Sequence, residues 1–144
     1  MREDLSAHLF VVNVEAIVSK QNQFLMITRS VSDPYGAGWL TFPGGKVDRG
    51  ADQSDILEDS VRREVLEETG IRVGNIKYLK SKFFSTDEGI GVVDVIFVCE
   101  YDSGEPMIND PKEIGSVQWM TKEEILKHPK TQVWTKDDFA SLEE

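Results

Sequence analysis

A chain of 144 residues with 40% hydrophobic and 29% charged residues can bury one sizeable core and is too short for two. Its formal net charge of -10 argues against an electrostatic grip on long nucleic acid or an anionic membrane, because neutralising phosphates takes clustered Lys and Arg. No apolar run approaches the roughly 18 residues that span a bilayer. The opening Met1-Arg2-Glu3-Asp4-Leu5-Ser6 lacks the apolar core of a secretion signal, so the expectation is one cytoplasmic domain over residues 1–144.

In chain order, residues 8–18 alternate little and are apolar on both parities, which predicts a strand buried on both faces. Gln21-Asn22-Gln23 supplies a turn into a second strand over 24–28, so the two form a hairpin. Residues 30–38, with Asp33, Pro34, Gly36 and Gly38, read as a loop. A short strand over 39–42 then stops at Pro43-Gly44-Gly45, where two glycines permit positive φ and a close backbone approach by a ligand.

Asp55 followed by Glu58 predicts a helix N-cap, with Ser54 as the alternative, and the helix runs to about Thr69 with Gly70 as its stop. Leu57, Val61 and Val65 form its apolar stripe. Strands are expected over 76–84 and 92–101, separated by a loop at 85–89, and a further strand over 115–120. Cys99 lies inside the apolar run of the second of these, which predicts a packed thiol and excludes a disulfide scaffold. Thr121 with Glu124 makes a capping box for a helix through about Lys127, ended by Pro129. The tail keeps Trp134 and Phe139 to cover the core or a ligand edge, and residues 141–144 are expected to fray. His8 and His128 show no ligand spacing with one another.

The chemistry concentrates in Arg63-Glu64-Val65-Leu66-Glu67-Glu68-Thr69-Gly70. At about 100° per residue, Glu64, Glu67 and Glu68 fall within roughly a 100° arc of one helix face. The ordinary reading of such spacing is a solvated face with lysine or arginine one turn on. Here Arg62 and Arg63 precede the acids, and no cation follows before Arg72. Crowded carboxylates of this kind favour a bound cation, and an all-oxygen ligand set selects Mg²⁺ or Mn²⁺ over Zn²⁺. The acids border the apolar stripe, which puts them along a cleft beside the core.

Phe42-Pro43-Gly44-Gly45-Lys46-Val47-Asp48, followed by Arg63 through Ile71, resembles the Nudix box of the Nudix hydrolases. One departure stands out. The family's first glutamate falls at Ala51 when counted from Gly45, and the spacer before Arg63 is about four residues longer, which an insertion within 51–57 explains. Asp52, Asp55 and Glu58 are open as replacements. The resemblance implies an α/β (α+β) fold, an α/β/α sandwich around a mixed sheet. It also implies Mg²⁺-dependent cleavage of the diphosphate linkage of a small nucleotide.

By the same resemblance, Glu67 and Glu68 are metal ligands, Glu64 is a ligand and a candidate base, and Gly45 offers its carbonyl to the metal. Arg63 orients the acids from within the helix. Glu113 resembles an outlying acid of the family, with Asp87 and Glu88 as competitors. The implied substrate is a nucleoside triphosphate, oxidised or not, with a nucleoside diphosphate sugar such as ADP-ribose as the alternative. A non-catalytic nucleotide-binding module is a third reading, supported only by the displaced glutamate. Tyr35, Trp39, Phe83, Phe84 and Trp134 are the aromatic residues able to stack on a base. Many relatives dimerise, which leaves a homodimer open.

Overall fold

A computed structural model describes residues 3–142 and orders them around a seven-stranded mixed sheet. The strands are β1 (Val11–Lys20), β2 (Gln23–Arg29), β3 (Leu40–Thr41), β4 (Gly44–Lys46), β5 (Arg72–Ser85), β6 (Gly91–Ser103) and β7 (Ile114–Thr121). Helix α1 (Ile56–Thr69) follows β4, while α2 (Lys122–Lys127) and α3 (Val133–Ser141) follow β7. The main path of the sheet is β3-β2-β1-β6-β5, with β4 added to β1 and β7 to β2. Only β1 and β6 pair in parallel, from Val11 opposite Val92 to Ser19 opposite Glu100; the other pairs are antiparallel. This is the expected mixed-sheet fold.

Alternation along the central strands sends side chains to both faces. Val14, Ala16 and Val18 of β1 and Val95, Phe97 and Cys99 of β6 join Val61 and Val65 of α1 in one core cluster. Ile17, Met26 and Ile96 meet Ile125 of α2 and Phe139 of α3 in the other. Cys99 is fully buried, and burial pushes its thiol up to about 12, so it packs as an inert apolar group.

Several expected boundaries move, each for a physical reason. β1 begins at Val11 rather than His8, where its pairing with β6 starts opposite Val92; His8 sits in a short 3-10 turn, and Leu9 and Phe10 are exposed. The hairpin turns on Gln21 and Asn22, both at positive φ, which lets β2 start at Gln23. β5 extends back to Arg72, its pairing to β6 interrupted by register shifts around Gly74 to Lys80, which hide the two-residue period from the sequence. Asp55 occupies the N-cap position of α1 as expected, but it is left-handed at φ 57° and its side chain makes no cap hydrogen bond, so the expected reciprocal carboxylate does not form. Gly70 does terminate the helix, at φ 77° with its N–H on the Leu66 carbonyl. The capping box of Thr121 and Glu124 forms as expected.

Helix α3 is absent from the sequence expectation. Its buried side chains are Thr135, Asp138 and Phe139, a mixture of polar and aromatic groups that makes no apolar stripe. Phe139 supplies the anchor, packing edge-on to Phe24 at 4.9 Å and tilted against Phe42 at 5.1 Å. Ser141 is the last residue of this helix, and residues 143 and 144 of the tail lie outside the described residues.

Asp138 anchors the same helix through charge. Its carboxylate receives Lys80 at 3.2 Å and Lys82 at 3.0 Å from β5, and Lys82 also lies 3.8 Å from Asp94 of β6, which accepts from the Asn13 amide at 2.8 Å. Glu15 of β1 joins this group. Loss of water around its carboxyl, then its hydrogen bond with Asp94 and the negative charge there, raises it well above the ordinary carboxylate range against the pull of Lys82.

Two outcomes follow for solution work. Phe139→Ala should cost about 3–5 kcal/mol in denaturant unfolding, the range for truncating a fully buried aromatic; a cost below about 1 kcal/mol would mean that α3 does not close the second core. In the folded chain Glu15 keeps its proton above pH 4.5 while the unfolded chain releases it, so stability falls as pH rises through that point. Glu15→Gln keeps a neutral hydrogen-bonding group, and the fall should be shallower in the variant than in the parent when both are unfolded across pH 4 to 8.

Candidate active site

Three elements position the acids. β4 lies antiparallel on β1, with Gly44 opposite Glu15 and Gly45 opposite Val14, and α1 packs its Ser60, Glu64, Glu68 edge beside β4. Gly44 and Gly45 do not take the positive φ that their sequence permits; they are strand residues, and their lack of a side chain serves close approach instead. A Cβ on Gly44 would run into the Val14 carbonyl oxygen and lie 3.0 Å from the Glu15 Cα. A Cβ on Gly45 would overlap the Glu64 carboxylate. The glycines therefore bring backbone to backbone on one side and backbone to carboxylate on the other.

Glu68 accepts a hydrogen bond from the Gly44 N–H at 2.7 Å. Burial nonetheless dominates its titration and raises it to about 7; the Gly44 N–H and the Arg29 guanidinium pull downward, and the neighbouring Glu64 and Glu113 carboxylates push upward. Glu64, with only 15% of its side chain exposed, is also raised, chiefly by burial, against the pull of Arg63. Arg63 contacts three acids: Glu64 at 3.0 Å, Asp48 at 3.5 Å and Glu67 at 3.6 Å. It thus holds part of the α1 acid face against the loop that follows β4.

The structure brings Gly45, Arg63, Glu64, Glu67 and Glu68 together, with Glu67 at the solvent side, its side chain 58% exposed. Of the outlying acids, Glu113 is near enough for its charge to act on Glu68, whereas Asp87 and Glu88 sit on the exposed turn between β5 and β6. Glu113 is tied to the site's edge through its carbonyl, which accepts the Ser30 N–H at 2.8 Å. Among the described residues, no ion pair or hydrogen bond carries Asp52, Asp55 or Glu58 to the cluster; the acid that reaches it from this loop is Asp48. Sequence reasoning also passed over Arg29, which pairs with Asp33 at 2.6 Å while its charge acts on Glu68. No local pattern marks Arg29: it enters because β2 lies beside β1 in the sheet.

All the donors are oxygens, and among the described residues no three acids converge into a closed cage for an ion. Such a set fits a hard cation shared with substrate oxygens rather than one enclosed by protein.

A family model for the NUDIX domain matches residues 9–141. The chain belongs to the NUDIX domain family. Its NUDIX box is the β4 to α1 segment described above. Among curated proteins, it is 38% identical over 71 residues to the NAD-capped RNA hydrolase NudC of Salmonella agona (strain SL483), a match covering 49% of this chain and 26% of that protein. The same figures hold for NudC of Escherichia coli O1:K1 / APEC, so the matched region spans about a quarter of these relatives.

Among solved structures, the MutT NUDIX hydrolase from Burkholderia pseudomallei superposes with a TM-score of 0.77 at 23% identity, covering 94% of this chain and 99% of that one. The NUDIX domain of Shewanella oneidensis NrtR, complexed with ADP ribose, gives 0.76 at 22%, covering 98% and 92%. At these identities the superpositions establish the NUDIX fold.

Gly45→Ala tests the close approach directly. Only the mobile end of Glu64 has to yield, so the thermal midpoint should move by no more than a few degrees while any hydrolytic activity falls at least about tenfold, the lower scale for disturbing a shell that orients ligands. Retained full activity would show that the Glu64 position is unimportant.

Proposed function

We propose that this chain is a Mg²⁺-dependent pyrophosphohydrolase, acting as a single domain on the diphosphate linkage of a small nucleotide and cleaving a nucleoside triphosphate to its monophosphate and pyrophosphate. The observation that carries this reading is the convergence of Glu64 and Glu68 on the Gly44–Gly45 backbone, with Arg63 holding Glu64, Glu67 and Asp48 from one side. A cytoplasmic setting, where such nucleotides are abundant, suits the reading.

Glu64, Glu67, Glu68 and the Gly45 carbonyl would hold the cation, and Glu113 stands at the edge of that set. When bound, Mg²⁺ offsets the charge of the diphosphate and lowers the pKa of a coordinated water. The chain's own contributions are separate. Glu64, raised by burial and steadied by Arg63, would accept a proton from attacking water. Arg63 keeps the Glu64 carboxylate turned toward β4 and, among the described residues, supplies the cation in direct contact with the acid face. The Gly44 N–H fixes the Glu68 carboxylate by its 2.7 Å bond.

A second reading rests on the relatives: proteins named for an NAD-capped RNA substrate and a domain complexed with ADP ribose both handle a nucleoside diphosphate joined to another group. On that reading this chain would release two monophosphate-bearing products from an ADP-ribose-like substrate.

Glu64→Gln and Glu67→Gln should each lower turnover by about 10²- to 10⁴-fold, the scale for removing a general base or comparable charged group from a site. Activity of the parent should vanish with a chelator and return with Mg²⁺. Product analysis across nucleoside triphosphates and ADP-ribose separates the substrate readings, since inorganic pyrophosphate appears only from the first. Full turnover in both variants would end the metal-helix account.

A further inference from the structure

Beyond the carboxylates, the loop between β4 and α1 borders an open cleft of about 450 Å³. Phe10, Val12, Val47 and Ile56 supply its apolar wall, and Lys46 and Arg49 line its mouth. It adjoins the acid face through Arg63: a second depression of about 300 Å³ shares Asp48, Arg49 and Ile56 with the first and ends at Arg63, which is bonded to Glu64. The two depressions together run from Arg63 past Asp48 to Phe10.

Three features distinguish this groove from ordinary surface. Phe10 is 47% exposed on the strand side of the cleft and is held edge-on by Phe83 at 5.7 Å and 83° between ring planes, so an aromatic wall is kept in place with a free surface. Lys46 and Arg49 are exposed and make no ion pair or hydrogen bond among the described residues, although the chain carries a net charge of -10 and acids are plentiful. Arg49 and Ile56 also line the cleft from the two ends of the loop that carries the longer spacer of the NUDIX box. Unpaired cations between an aromatic wall and a carboxylate cluster match a ligand that is flat and apolar at one end and anionic in the middle.

We propose that this cleft seats the nucleoside end of the substrate, its base against Phe10 and the adjoining phosphate on Lys46 and Arg49, with the scissile linkage at the Glu64 and Glu68 carboxylates. This rests on the diphosphate-hydrolase reading and deepens it: recognition of the base falls to the start of β1 and the lengthened loop. Both residues are exposed, so their replacement leaves the two cores intact.

The test compares the parent with Phe10→Ala, Phe10→Tyr and Arg49→Ala. KM and kcat are measured on whichever of ATP, GTP, CTP, UTP or ADP-ribose the parent turns over best with Mg²⁺, and Kd on AMP, GMP, CMP and UMP by calorimetry. Loss of one base-stacking contact should raise KM and Kd about 5- to 100-fold in Phe10→Ala with kcat within about twofold, while Phe10→Tyr stays near the parent. Arg49→Ala should raise both constants for every nucleotide alike. If Phe10→Ala unfolds, Phe10→Tyr and Arg49→Ala carry the comparison unaided. Parental turnover with KM and Kd unchanged in the variants overturns the cleft as the nucleoside site, and so does a change confined to the association of copies of the chain. No turnover of any of the five compounds by the parent instead defeats the hydrolase reading, and this inference with it.

Discussion

Two side-chain-free residues at one crossing point control how the rest of the site is assembled. Gly44 and Gly45 lie between the β1 backbone and the carboxylates of α1, and each is excluded from carrying a Cβ by a different neighbour. Because β4 can lie flat on β1, the Gly44 N–H meets the Glu68 carboxylate at 2.7 Å; because the helix can come that close, Glu64 and Glu68 lose water. A larger residue at Gly44 would push β4 off the β1 backbone, and one at Gly45 would displace the Glu64 carboxylate.

Lost water is the source of the site's electrostatic character. Burial lifts Glu64 and brings Glu68 to about 7, and Arg63 and the Gly44 N–H only partly oppose it. A carboxylate poised in that way costs the fold some stability, and a divalent cation that neutralises it would return the loss on binding. The opposite face of the sheet handles its charges differently. There Asp94 and Asp138 are paired with Lys80 and Lys82, burial raises Glu15 well above the ordinary carboxylate range, and the group serves to dock α3. One face of β1 thus backs a site open to ligand, and the other closes on itself.

The two faces also explain which elements were legible in advance. Helix α1 repeats its apolar residues with the helical period and ends in a glycine, so its extent could be read from the chain. Helix α3 could not, because it docks by one aromatic ring and one buried ion-paired carboxylate, neither of which leaves a periodic trace. β5 was read short for a related reason: its bulges break the alternation that marks a strand. Within the site, the acids and glycines of the box were legible as a pattern, whereas Asp48 and Arg29 acquire their roles only from neighbours far along the chain or across a loop.

By itself the sequence determined the family, the acidic helix with its terminating glycine, the glycine pair before it, and the oxygen-only character of the donors. These are local properties, set by residue type and short spacing. The tertiary structure alone decided that the glycines act by strand pairing rather than by a turn, that burial rather than mutual repulsion dominates the titration of Glu64 and Glu68, and that Arg49 and Ile56, at the two ends of the lengthened loop, share a cleft with Phe10. Each of these depends on distances between segments dozens of residues apart, and such distances are fixed only when the sheet assembles.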